Sequence, residues 1–138
     1  MVDIKKLATE MALRGKTAEH GFLFDVIPMP GEIEVLRIEV EDREELPIFL
    51  SVSDDQILCL VYLFKEDEIR AGQLPELNNA LLQANITMPL SAFGKIDGQY
   101  VIYGALSVHS SLHDLVHEIE TLSSNSIASI TAVREHLK

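Results

Sequence analysis

Eight consecutive apolar residues, Ile57 to Phe64, form the longest such run in the chain and constrain its fold more than any other feature. The run falls far short of the roughly 20 residues that a membrane helix needs. It reads as a β-strand, entered from a turn at Ser53-Asp54-Asp55 and left through the charged stretch Lys65 to Arg70. Successive side chains of a strand point to opposite sides, so a strand apolar at every position carries hydrophobic surface on both faces of its sheet. Ile57–Phe64 is therefore expected to lie in the middle of a sheet.

The partners for such a strand lie on either side of it in sequence. Phe22, Phe24 and Val26 share one face of a strand that is expected to stop at Pro28 and the turn Pro30-Gly31. Leu36, Ile38 and Val40 alternate with Arg37, Glu39 and Glu41, the pattern of a strand with one wet face, and Ile48, Leu50 and Val52 supply the next. Farther on, Ala92–Ile96 and Gln99–Val108 flank Asp97-Gly98, a pair suited to the positive φ angles of a type I′ hairpin turn. Helical spacing marks three other segments. Ile4, Leu7, Ala8 and Met11 follow a capping Asp3 and precede Gly15, placed as a left-handed terminator. Leu77, Ala80, Leu81 and Ala84 form a stripe behind Pro75 that Asn85 is expected to end. Leu112, Leu115, Val116, Ile119 and Leu122 form the last stripe, continued by Ile127, Ile130, Val133 and Leu137, with Ser123 to Ser126 as a possible break between one helix and two. The element order is a helix, three or four strands, a helix, a hairpin and one or two helices. This predicts an α+β fold, an antiparallel sheet with N-terminal, middle and C-terminal helices packed on it, in the order α-βββ-α-ββ-α. With 138 residues, 47% of them hydrophobic, and no linker or repeat, residues 1–138 are expected to form a single domain.

The stretch Leu74-Pro75-Glu76-Leu77-Asn78-Asn79-Ala80-Leu81 through Met88-Pro89-Leu90-Ser91-Ala92-Phe93-Gly94, with Tyr103-Gly104-Ala105-Leu106-Ser107 and Glu118-Ile119-Glu120-Thr121-Leu122, resembles the YjfI-like family of uncharacterised bacterial proteins. The resemblance covers most of the chain. It implies a role beside phage-shock protein A-like membrane-stress proteins. The element order is also similar to the type III secretion chaperone and YbjN-like architecture, which implies a small, acidic, cytoplasmic, commonly dimeric protein that holds segments of other proteins.

Charge narrows the range of partners. Eleven Lys and Arg against 22 Asp and Glu give a net charge of −11, and a duplex or an anionic membrane would repel such a surface. Neither nucleic acid nor direct membrane insertion is expected. Met1 to Arg14 carries no apolar core of a signal peptide, and the expected location is the cytoplasm. Cys59, the single cysteine, excludes an internal disulfide and a thiolate cluster for zinc. Its apolar surroundings fit inert packing better than a nucleophile. Asp54-Asp55 fits a turn better than an acid–base pair.

Two functional readings remain. His113 and His117 stand one helical turn apart near Glu120, with His109 upstream, a spacing that could hold a divalent metal in a small metal-dependent enzyme. The same residues flank an apolar stripe, where imidazoles commonly cover a core edge. The leading reading is a non-enzymatic protein-binding module without cofactor. Seven acids lie between Glu32 and Glu45, with Glu39 and Glu41 on the wet strand, while Met29 and Met88 sit in loops stiffened by neighbouring prolines. Met29, Glu39, Glu41 and Met88 are the expected contacts for a basic or amphipathic protein partner. An open sheet edge adds the expectation of a homodimer.

Overall fold

The computed structural model describes residues 3–15 and 22–138. Its elements are helix α1 (Ile4–Gly15), strands β1 (Phe24–Met29), β2 (Val35–Val40), β3 (Ile48–Val52) and β4 (Ile57–Lys65), helix α2 (Leu74–Thr87), strands β5 (Ala92–Ile96) and β6 (Gln99–Leu106), and helix α3 (Leu112–Val133). The run that allowed three or four strands holds four. All pairings are antiparallel, in the order β1-β2-β3-β4-β6-β5, so β4 lies inside the sheet as expected.

All three helices pack on one face. Leu36, Ile38, Ile48, Leu50, Cys59, Val61 and Ile102 point to that side and are buried against Met11 of α1 and Leu115, Ile119 and Leu122 of α3. A second cluster forms where α2 meets the end of the sheet. The register of β4 on β6 shifts between Tyr62 and Phe64, which turns Phe64 toward the helices opposite Tyr100. The two rings stack with centroids 4.9 Å apart among Leu77, Leu81 and Val133, and the Tyr100 hydroxyl donates to Asn78 Oδ1.

Several local expectations are corrected. β1 continues through Pro28 to Met29. The Leu23 carbonyl accepts from the Glu41 N–H, which fixes the ladder phase so that residue 28 faces its nitrogen away from β2, and an edge strand has no use for that missing N–H. Gly15 ends α1, but it is absent from the described residues with positive φ; a Cβ there would overlap the Phe24 carbonyl oxygen, so glycine serves close packing of helix on strand. Only Asp97 of the hairpin pair has a positive φ, 53°, so the turn is not type I′. In α2, Leu77 and Leu81 are buried whereas Ala80 is exposed, and the helix runs past Asn85 to Thr87. α3 is one helix of 22 residues. Its serines pass through without a break, and buried hydroxyls are satisfied inside the helix, Ser126 Oγ donating to the Leu122 carbonyl at 2.7 Å and Ser129 Oγ to the Asn125 carbonyl at 2.6 Å.

Asn85 has a different role from the helix terminator expected of it. Its Oδ1 accepts the Phe93 N–H at 2.7 Å and its Nδ2 donates to the Phe93 carbonyl at 3.4 Å. One amide thereby takes the place of a neighbouring strand at that point of the β5 edge. With Pro28 on β1 and Asn85 against β5, each edge of the sheet is blunted at one position.

The tightest helix–sheet contact surrounds a buried acid. Glu118 of α3 is 3% exposed and lies over Gly104, where any Cβ would overlap its carboxylate. Its Oε1 has no hydrogen-bond partner among the described residues. Burial raises its pKa above the usual carboxylate value; burial first and then Glu118 push up the Cys59 thiol, across the ladder from Gly104. The fold favours the protonated carboxyl, so the stability it contributes is full below the unfolded value of 4.5 and fades as pH rises through the raised folded value. Glu118→Gln keeps the shape and removes the charge. Thermal melts should show the variant more stable than wild type at pH 7, with the gap closing as pH falls to about 4; a wild type at least as stable at pH 7 would contradict this account.

Candidate protein-binding site

The side of the sheet opposite the helices carries the other half of each strand. Ile27 and Met29 of β1, Val35, Arg37 and Glu39 of β2, Phe49 and Ser51 of β3, and Leu58, Leu60 and Tyr62 of β4 point there by the alternation of their strands. None of the three helices covers them. At the middle, Met29, Ile33, Phe49, Leu58, Leu60 and Tyr62 line a groove of about 390 Å³. Its wall is stiff, because the Phe49 and Tyr62 rings meet edge to face with centroids 5.6 Å apart and the Arg37 guanidinium lies 5.9 Å from the Phe49 ring. Tyr62 is 49% exposed and Ile33, in the β1–β2 loop, 68%. Contiguous apolar surface of this kind marks an interaction site more often than a solvated face.

One end of this face is acidic. Asp25 lies directly across the β1–β2 ladder from Glu39, and like charges in that position repel. Asp25, Glu39, Glu41 and Glu44 line a concavity of about 370 Å³ next to Gly15. Arg37, 3.5 Å from Glu39, offsets one of these charges. The remainder gives a negative field at the Asp25–Glu39 end of the β1–β2 ladder, opposite the Met29–Val35 end that borders the groove, suited to lysine or arginine side chains of a partner whose apolar residues fill the groove.

The expected site residues divide between these surroundings and others. Met29 lines the groove, while Glu39 and Glu41 line the acidic concavity at the other end of the β1–β2 ladder. Met88 is elsewhere: it follows α2, half-buried, and packs against the core on the helix side. His113 and His117 are exposed on α3, and among the described residues no three His, Cys, Asp or Glu side chains are placed to hold a metal. Ser53 Oγ accepts the N–H groups of Asp55 and Gln56 at 3.3 and 3.2 Å, which makes Asp54-Asp55 part of a tight turn. Cys59 is fully buried. Phe49, Leu58, Leu60, Tyr62 and Asp25 were not singled out from the sequence. For Leu58, Leu60 and Tyr62 the signal was in the longest apolar run, whose alternate positions required hydrophobic surface on a face that the three helices do not reach; Phe49 and Asp25 lie outside that run and join through strand register.

If this face is a binding surface rather than a core, its leucines should contribute little to stability. Leu58→Thr and Leu60→Thr should each cost less than about 1 kcal/mol in urea melts, against about 2–5 kcal/mol for Leu50→Ala on the helix side. Equal costs on the two faces would show that the outer one is packed.

Comparison with known proteins gives a consistent fold and a family. Uncharacterized protein YjfI of Escherichia coli strain K12 is 32% identical over 116 residues, covering 80% of this chain and 86% of that protein. Among solved structures, the ExoU–SpcU heterodimer of the Pseudomonas aeruginosa type III secretion system aligns with a TM-score of 0.54 at 14% identity, covering 91% of this chain and 93% of the matched one. YbjN of E. coli aligns at 0.55 and 16%, covering 88% and 90%. An uncharacterized protein of Methanothermobacter thermautotrophicus aligns at 0.60 and 16%, covering 95% and 99%. The α+β fold of this chain, with the order α-βββ-α-ββ-α expected up to the number of strands, is thus shared with a chain of that secretion-system heterodimer and with YbjN. Residues 1–137 match the family described as uncharacterized proteins conserved in bacteria, DUF2170, and the chain belongs to that family.

Proposed function

We propose that this chain is a non-enzymatic, chaperone-like protein-binding module that holds an apolar, basic segment of another protein against the uncovered face of its sheet. The observation that carries the reading is the apolar groove over β3 and β4, with the acids Asp25, Glu39, Glu41 and Glu44 gathered at the far end of the β1–β2 ladder. Structural likeness to a chain of a secretion heterodimer supports a protein partner. Among the described residues no helix is long and apolar enough to cross a membrane, which fits action in the cytoplasm on a partner that itself approaches a surface. A phage-shock protein A-like helix, basic on one side, is the partner that the family resemblance implies. The groove draws on β1 to β4, and the acids on β1, β2 and the turn that follows β2, within the single domain proposed for residues 1–138.

The two halves of the site respond to different interventions. Charge governs encounter, and apolar anchors govern residence. With a partner captured from native lysate, identified and purified, raising salt should slow association by about tenfold or more, and Glu39→Lys with Glu41→Lys should do the same at low salt. Met29→Ala should leave association unchanged and speed dissociation about fivefold, the equivalent of about 1 kcal/mol. Failure to capture any protein, or binding indifferent to both changes, would overturn the assignment.

A further inference from the structure

A cation stands among the apolar side chains of the outer sheet face. Arg37 of β2 lies directly across the ladder from Ile27 of β1 on one side and from Phe49 of β3 on the other. Its guanidinium carbon is 5.9 Å from the centroid of the Phe49 ring. Val35, two residues before it and on the same side of the strand, lines the apolar groove, and Glu39, two residues after it, belongs to the acidic end. Among the described residues its charged partner is Glu39, whose Oε2 is 3.5 Å from Nη2, long for a charge-assisted hydrogen bond. Arg37 Nε is buried without a hydrogen-bond partner among the described residues.

We propose that Arg37 sets the specificity of this face by requiring an acidic residue in the bound segment, placed between the apolar residues that fill the groove and the basic residues that meet Asp25 and Glu39. This rests on the reading of the outer face as a protein-binding surface and adds to it a rule about the partner's sequence. The physical reason is desolvation. The Arg37 side chain is 38% exposed, so part of the guanidinium is left to water. A segment that fills the groove covers Arg37 as well, because Val35 and Phe49 both line the groove and border the arginine. A cation stripped of water and left unpaired is strongly unfavourable. Glu39 does not remove that cost, since a Lys or Arg arriving at the acidic end competes with Arg37 for its oxygens. A carboxylate from the partner compensates the charge and matches the planar fork of the guanidinium, which a carbonyl or an amide does not. The ladder thus orders three chemistries, apolar at Met29–Val35, cationic at Ile27–Arg37 and acidic at Asp25–Glu39. A complementary segment carries apolar, acidic and basic residues in that order along its length.

Peptide display tests the rule without a known partner. A random peptide library selected on the full chain should return sequences with an Asp or Glu between an apolar cluster and a Lys or Arg. For a selected peptide made synthetically, replacing that acid by its amide should weaken binding to wild type about tenfold or more, and binding to Arg37→Leu less than about twofold. Arg37→Lys should keep a preference for the acid, and selection on Arg37→Glu should return Lys or Arg in its place. Selected peptides that are apolar and basic without an acid, or an acid whose amide costs as much on Arg37→Leu as on wild type, would overturn the role of Arg37 and leave the binding surface standing. Recovery of no peptide, or of peptides that bind Leu58→Glu with Leu60→Glu as tightly as wild type, would overturn the surface and the rule with it.

Discussion

The structure depends on an imbalance at β4. This strand is apolar toward both sides of the sheet, and the chain has helices for only one. Ile57, Cys59 and Val61 are buried under α3, while Leu58, Leu60 and Tyr62, alternating with them, face away from every helix. A covering layer on that second side would remove apolar area from water at about 25 cal/mol per Å². Because the chain does not supply that layer, the free energy of covering this face is left for another molecule to gain. The acids at the β1–β2 end then determine which molecule can approach it.

The helix side is packed tightly enough to force departures from ordinary composition. Gly15 and Gly104 stand where a Cβ would overlap a backbone oxygen in one case and a carboxylate in the other. Serines line the buried side of α3: the hydroxyls of Ser126 and Ser129 donate within the helix, and Ser123 accepts from Arg43 at 3.2 Å. Glu118 is the cost of this arrangement, a carboxyl held out of water over the middle of the sheet. The two sides of the sheet thus differ in kind: one is closed and intolerant, the other open with half-exposed side chains.

Much of the architecture was legible because periodicity is a local property. The alternation in Leu36–Val40, the both-sided run at Ile57–Phe64 and the stripe from Leu112 to Leu122 each report burial through residues only a turn or two apart. What escaped was set by contacts distant in sequence. Asn85 reads as a helix stop until the edge of β5 is seen beside it, and Ser123–Ser126 reads as a break until Ser126 is found bonded back to Leu122 and Ser123 and Ser124 bonded by Arg43. The site was half legible for the same reason. Glu39 and Glu41 stood out as charges on a strand, and Met29 as a residue between prolines, but Asp25 joins them only through the β1–β2 register. Met88 shared the local signature of Met29, and packing placed it against the core instead.

The central claim is that the outer sheet face, and not the helix side, receives the partner. Methyl-resolved NMR of the protein titrated with its purified partner tests this most directly. The account predicts that the methyl signals of Ile27, Met29, Ile33, Leu58 and Leu60 shift together on binding, while those of Leu115, Ile119 and Leu122, sealed between α3 and the sheet, stay in place. Shifts confined to the helix side, with the signals of Leu58 and Leu60 unmoved at saturation, would contradict it.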